Sequence, residues 1–298
     1  LNLRGYFSRI PMDLSIVIPS FNTKELLDRC LSSVFFSLKE TPFFYEVIVV
    51  DNASSDGSLA IVNKKFPQVY LVRNTENTGY GKANNQAIKM AKGEYVLLLN
   101  SDIVVQDNAI GTLYKFIKDK NKAFAGGKLF NEDGSSQPSC GPFYSLPVVA
   151  LMLFAKGDYW GATRYSPNQA QRVDWVSGAC LIGRKSSFLS VGLFDEKIFM
   201  YMEEIELLYR AREKGYGTFF VPEAQFIHTG AASSGERRTP VVNIYRGLVY
   251  FYKKHRGRFA IAILRGMLRV KALAVILAGR MIGRPPVVQT YEEALSIL

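Results

Sequence analysis

Tyr95-Val96-Leu97-Leu98-Leu99-Asn100-Ser101-Asp102 is an apolar run closed by three polar residues. A short run that is continuous rather than alternating reads as a strand buried on both faces. Such strands belong to mainly parallel sheets covered by helices. The segments upstream repeat the pattern. Leu14-Ser15-Ile16-Val17-Ile18-Pro19, Glu46-Val47-Ile48-Val49-Val50-Asp51 and residues 69–73 read as three further strands. Between them, residues 24–38 place Leu26, Leu27, Cys30, Leu31, Val34 and Phe35 at helical spacing. Asp56 caps a second helix running to residue 66, and residues 80–91 form a third. Strand–helix alternation of this kind predicts an α/β fold. Ligands of such sheets sit beyond the carboxyl ends of the strands. Residues 19–22, Asp51 with Asn52, and residues 100–102 therefore gather on one edge.

Downstream, a helix is expected from residue 108 to about 120 and a strand over 123–129. Residues 131–147, rich in Gly, Ser and Pro, read as a loop. A strand is expected over 174–182 and a helix over 203–214, stopped by Gly215. Residues 218–221 and 224–227 read as two short strands. No internal repeat is visible.

The chain has 298 residues and 48% hydrophobic content, enough for one large domain with an appendage. Its three cysteines (Cys30, Cys140, Cys180) lie far apart with no CxxC spacing, which argues against a zinc site or a disulfide framework and fits a reducing cytoplasm. Residues 1–11 lack the apolar core of a signal peptide, and Met12 is a candidate natural start. Residues 1–12 are thus expected as an N-terminal extension, 13–235 as the main domain and 236–298 as a basic helical segment. Between residues 236 and 284, twelve Lys or Arg face one Glu, which accounts for the chain's net charge of +11. Arg258, Arg265, Arg269 and Arg280 fall on one helical face, among Ile261, Leu264, Leu268, Leu273 and Leu277. Four charges between Phe259 and Ile282 argue against a membrane span, and an interfacial basic helix on the membrane surface fits better. A helix pair packed on the domain or in a homodimer is the plainer alternative. Nucleic-acid binding is not expected, since no recognition motif accompanies the charge.

Phe199-Met200-Tyr201-Met202-Glu203-Glu204-Ile205-Glu206-Leu207 puts three carboxylates where a helix begins. The helix dipole favours acids there, and a reacting proton or a cation is the alternative use. Asp51 at a strand end suits a ribose or base edge. Asn74-Thr75-Glu76-Asn77-Thr78-Gly79-Tyr80-Gly81-Lys82 gives a glycine-bearing approach with Lys82 able to meet a phosphate. Asp102 suits a hard divalent cation completed by diphosphate oxygens, and His228, one of two histidines, suits the same ion.

Taken in order, Ile16-Val17-Ile18-Pro19-Ser20-Phe21-Asn22, Val49-Val50-Asp51-Asn52, Asn77-Thr78-Gly79-Tyr80, Leu99-Asn100-Ser101-Asp102, Asp174-Trp175-Val176-Ser177-Gly178-Ala179, Phe194-Asp195-Glu196, Tyr201-Met202-Glu203-Glu204 and His228-Thr229-Gly230 resemble family 2 glycosyltransferases, rhamnosyltransferase-like branch. The resemblance implies a GT-A fold: a Rossmann-like, mixed, mainly parallel sheet with helices on both faces, here with a C-terminal helical extension. It implies an inverting reaction, Mg²⁺ or Mn²⁺, and a nucleoside-diphosphate sugar donor, dTDP-rhamnose or a UDP-sugar. The basic C-terminal helices make sense with a glycan or lipid-linked acceptor, and with the cysteines they fit a cytoplasmic location at the inner face of the membrane. Pro19, Phe21, Asn22, Asp51, Asn77, Gly79, Lys82, Asn100, Ser101 and Asp102 would bind the donor. Asp102 and His228 would hold the metal, with Asn100 replacing the first acid of a DxD-type motif. Trp175, Ser177, Gly178, Ala179 and Glu203 would line the sugar and acceptor site. Glu204 stands where the family carries an aspartate base, with Glu203 and Glu206 as alternatives. A nucleotide-sugar-binding scaffold protein whose catalysis has lapsed is the other function this pattern allows.

Overall fold

In the computed structural model of the protein, residues 12–230 and 238–298 are described. The N-terminal extension through residue 11 and the first residues of the basic segment, 236–237, lie outside them.

The first half is β1 (Leu14–Ser20), α1 (Lys24–Ser37), β2 (Tyr45–Asp51), α2 (Ser58–Lys65), β3 (Tyr70–Arg73), α3 (Tyr80–Met90) and β4 (Tyr95–Leu99). The strands lie in the order β3-β2-β1-β4, all parallel. Every residue of β1 and β4 is buried, as continuous apolar strands between two helical layers must be. Successive residues serve opposite faces. Leu14, Ile16 and Ile18 join Leu27, Leu31 and Val34 of α1 in one core. Val17 joins Ala83, Ala87 and Ile88 of α3 in the other.

The second half is β5 (Ile103–Val105), α4 (Ala109–Lys118), β6 (Ala123–Phe130), β7 (Ser136–Gln137), β8 (Cys140–Gly141), α5 (Leu146–Phe154), β9 (Gln171–Val173), β10 (Trp175–Val176), β11 (Cys180–Arg184), α6 (Lys185–Val191), α7 (Glu203–Glu213) and β12 (Gly217–His228). The sheet continues β4-β11-β6-β12-β5. β11 is antiparallel to both β4 and β6, and β12 is parallel to β6 but antiparallel to β5. The mixed sheet with helices on both faces is as expected from the strand–helix pattern.

Three local features differ from the sequence reading. The strand expected over 174–182 breaks at Ser177, Gly178 and Ala179. β10 pairs with β8 in a separate ladder, and β11 enters the main sheet. The two strands expected over 218–227 are one strand, β12, whose register shifts between Val221 and Gln225. Pro222 lies in that bulge, where its missing N–H costs no ladder bond. The stretch 131–147 is not all loop, since it carries β7, β8 and the start of α5.

Three helices close the chain: α8 (Arg238–His255), α9 (Arg258–Met281) and α10 (Pro285–Ser296). Leu248, Phe251 and Tyr252 of α8 and Leu264, Leu268 and Ala272 of α9 join the core that holds Trp175 and Leu207. α9 is also apolar on its outer side. Phe259, Val270, Leu273, Leu277 and Met281 are exposed there. Of the four arginines read as one face, Arg269 donates to the Leu298 carbonyl and Arg280 pairs with Glu292 on α10. Among the described residues, no helix is long and apolar enough to cross a membrane.

Candidate active site

The carboxyl ends of β1, β2 and β4 open onto a cleft of about 740 Å³. Small-molecule sites fall in the range of roughly 300–1,000 Å³. Pro19, Phe21, Asn77, Asn100, Ser101, Asp102, Ser177, Gly178, Ala179, Glu203, Glu204 and His228 all line it. They come from six stretches spread over more than 200 residues of sequence. Asn22, Asp51, Gly79, Lys82 and Trp175 are not on its walls. Asp51 is buried and paired with Ser20 in the sheet. Its Oδ2 accepts from the Ser54 amide at 3.0 Å, while Oδ1 is buried without a partner. Asn22 ties two loops together by accepting from the Ser55 amide at 2.8 Å. Trp175 is buried and donates through Nε1 to the Pro142 carbonyl at 2.9 Å.

One corner joins Asp102 to His228. β12 ends beside β5, with His228 opposite Ile103. That pairing brings Nε2 of His228 to 3.3 Å from Oδ1 of Asp102. The other carboxylate oxygen accepts from the Gly230 amide at 3.1 Å. A chain of side chains fixes which imidazole nitrogen carries the proton. The Asp133 carboxylate accepts from the Ser135 hydroxyl, which accepts from the Asn131 amide nitrogen at 2.8 Å. The Asn131 oxygen then accepts from the Gln137 amide nitrogen at 2.9 Å. This leaves Oε1 of Gln137 facing Nδ1 of His228 at 2.7 Å. A carboxylate only accepts, so each link down the chain is determined, and Nδ1 is the donor. With Nδ1 as donor, the neutral imidazole carries its lone pair on Nε2, which faces the Asp102 corner. The Asn100 amide nitrogen lies 3.2 Å from Nε2, and Oδ1 of Asn100 is buried without a partner. A lone-pair nitrogen and a carboxylate oxygen 3.3 Å apart suit a divalent cation. A histidine ligand held through its other nitrogen is the usual arrangement in metal sites. Among the described residues, no cluster of three or more His, Cys, Asp or Glu is arranged to hold a metal. Any cation here needs further oxygens from a bound ligand.

The other end is built by α7. Tyr201 and Met202 both have positive φ, 67° and 75°, an uncommon conformation for bulky residues. This turn delivers Glu203 and Glu204 into the cleft at the first two helical positions. The approach of residue 199 to α3 requires Gly79 (φ 80°), because a Cβ there would lie 2.5 Å from the Phe199 carbonyl oxygen. Gly178 passes the pair closely, and its carbonyl accepts from the Tyr80 hydroxyl at 2.5 Å. One carboxylate oxygen of each glutamate is buried without a partner. Burial, then the neighbouring Glu204 charge, pushes the Glu203 carboxyl well above the usual range. Burial also raises Glu204, but backbone amides and the Arg164 charge oppose it. Glu203 is thus the member pushed further toward its protonated form, while backbone amides and Arg164 favour the carboxylate of Glu204. Glu206 faces away from the cleft and is fully paired with Arg210, Lys254 and His255.

Sequence reasoning missed Gln137, Asp158, Arg164 and Pro240 of α8, which also contribute to the cleft. They belong to no motif, and only the fold brings them there.

The chain aligns with N-acetylglucosaminyl-diphospho-decaprenol L-rhamnosyltransferase of Mycobacterium tuberculosis at 30% identity over 284 residues, which cover 87% of this chain and 91% of that protein. The sequence profile of Glycosyl transferase family 2 matches residues 15–139. The chain belongs to glycosyl transferase family 2. The glycosyltransferase is also similar to rhamnosyltransferase WbbL of Escherichia coli, at 28% identity over 72% of this chain and 82% of that one. In fold it resembles the structure of GalNAc-T7 with UDP, GalNAc and Mn2+ at a TM-score of 0.56 and 19% identity. That match covers 82% of the glycosyltransferase and about half, 50%, of the solved chain.

Proposed function

We propose that this glycosyltransferase moves a sugar, with inversion, from a nucleoside diphosphate to a hydroxyl of a cell-surface polysaccharide or lipid-linked glycan. L-Rhamnose from dTDP-L-rhamnose is the favoured donor, supported by the two rhamnosyltransferase relatives. A single observation carries the reading. One cleft holds a cation-suited pair, Asp102 with His228, and a carboxylate without a hydrogen-bond partner on one oxygen, Glu204.

Asp102 and His228 would hold Mg²⁺ or Mn²⁺, which supplies charge neutralisation on the leaving diphosphate. Pro19 and Phe21 on the cleft wall receive the nucleoside, with Asp51 on the neighbouring strand holding the Ser54 amide. Asn77, Asn100 and Ser101 complete the donor side, while Asn22 and Gly79 fix the loops around it. Trp175, Ser177, Gly178 and Ala179 shape the sugar and acceptor side. Glu204 takes the proton of the acceptor hydroxyl as that oxygen bonds to the anomeric carbon. The bond from that carbon to the diphosphate breaks on the opposite face. Glu203 stays protonated, which keeps a second charge out of the same pocket. The proton on Glu204 returns to solvent after product leaves.

Residues 13–235 act as the catalytic body and 236–298 as the part that meets the inner face of the cell membrane. The outer side of α9 supports this, since an exposed apolar stripe flanked by basic side chains suits an anionic interface. The stereochemistry is the test. Proton NMR of the product formed from a β-linked donor should give the α-linked glycoside, and retention of configuration would overturn the single-displacement mechanism.

A further inference from the structure

Among the described residues lining the cleft, Arg164 alone carries a permanent positive charge. Its guanidinium carbon lies over the Trp175 ring, 5.5 Å from the ring centre. It makes no hydrogen bond or ion pair with Asp158, Glu203 or Glu204, and its Nε is buried without a partner. A buried donor left unpaired costs stability, and an oriented guanidinium matches the oxygens of a phosphate.

The loop that carries Arg164 is itself constrained. Ala162 and Thr163 donate to the Gly157 carbonyl, and Tyr165 and Cys140 exchange backbone hydrogen bonds. The tip presents Tyr159 and Trp160, 78% and 74% exposed, in an edge-to-face pair. The loop leaves α5 at Phe154, which lines an apolar groove against α9. Inward the loop offers a cation to the cleft, and outward it offers aromatic rings of the kind that sit at lipid interfaces.

Resting on the transferase reading above, we propose that Arg164 is a subsite for a phosphate or diphosphate ester on the acceptor, whose lipid chain leaves past Tyr159 and Trp160. A phosphate could reach the cleft from the donor or from the acceptor. The Arg164 charge acts on Glu204, where the acceptor hydroxyl is deprotonated, and Asp102 with His228 forms the donor corner. The acceptor is therefore the source. The geometry assigns the enzyme to lipid-diphosphate-linked glycans rather than to free polysaccharide ends.

The test uses decyl diphosphate as the probe, titrated into the full-length protein presaturated with dTDP or UDP and Mn²⁺. Wild type should bind it with the donor site filled. Arg164→Met should weaken binding at least tenfold, and Arg164→Lys, which keeps charge but not the planar fork, should fall between. Melting curves of both variants verify folding. Undiminished binding by Arg164→Met, or displacement of decyl diphosphate by the nucleotide, would overturn the subsite. Failure of dTDP and UDP to bind with Mn²⁺ would instead sink the transferase reading of the cleft, and with it this proposal.

Discussion

Replacing Glu204 by Gln keeps the size of the side chain and removes only the base. The buried oxygen of Glu204 that faces the cleft has no partner, so the amide breaks no hydrogen bond at that atom. Folding should survive, and the lost function should appear in turnover. General-base catalysis contributes roughly 10²–10⁴-fold. At 1.36 kcal/mol per tenfold, the barrier should rise by about 2.7–5.4 kcal/mol. Glu203→Gln is the paired control. Burial and the Glu204 charge keep Glu203 protonated, and a neutral amide resembles a neutral acid. That variant should keep turnover within about tenfold of wild type. Its melting temperature at neutral pH should rise, because a carboxyl whose folded pKa lies above the ordinary 4.5 costs stability once pH exceeds that value. The assay is nucleoside-diphosphate release with acceptor present, followed across pH. The acid limb should lie above 4.5, since burial raises Glu204 and the base works only when ionised. Near-normal turnover by Glu204→Gln alongside an inactive Glu203→Gln would refute the assignment of the proton.

Three further outcomes follow from the same geometry. Gln137→Leu removes the acceptor for Nδ1–H of His228, and Mn²⁺-dependent donor binding measured by calorimetry should weaken about 10–100-fold. Glu206→Ala strands Arg210, Lys254 and His255 in the contact between α7 and α8, and urea unfolding at pH 7 should give a loss of about 3–5 kcal/mol. Burial alone would raise Glu206, but its hydrogen bonds from Arg210, Lys254 and His255 hold it low. Its stabilisation is therefore present above pH 4.5 and should fade as pH drops below. Leu273→Glu with Leu277→Glu on the outer side of α9 should abolish flotation with anionic liposomes while leaving the melting temperature within a few degrees of wild type.

The first half of the fold was legible because its strands are continuous apolar runs, which few other structures accommodate. The ends of β1, β2 and β4 were legible for the same reason, and they carry Pro19, Asp51 and Asp102. Tertiary approach decides what was not legible. The break at Gly178 exists because Tyr80 and Glu204 pass there, and no periodicity in residues 174–182 records it. β12 read as two strands because Pro222 interrupts the pattern, yet a bulge absorbs it within one ladder. Gln137 and Arg164 sit in stretches without motif or period, so only the folded chain reveals that one orients His228 and the other enters the cleft. α9 read as one amphipathic face because sequence spacing does not tell an apolar side packed on the core from one left exposed. Leu264, Leu268 and Ala272 take the first role, and Val270, Leu273 and Leu277 the second.

The most direct measurement is nucleoside-diphosphate release from a panel of donors, dTDP-rhamnose and UDP-hexoses included, with Mn²⁺ or Mg²⁺ and then with EDTA. Wild type should release nucleotide from one donor, dTDP-rhamnose by this account, only with the metal, and Asp102→Ala should not. Release that persists in EDTA or in Asp102→Ala would contradict the metal corner, and no release from any donor with a phosphate-linked acceptor present would contradict the catalytic reading.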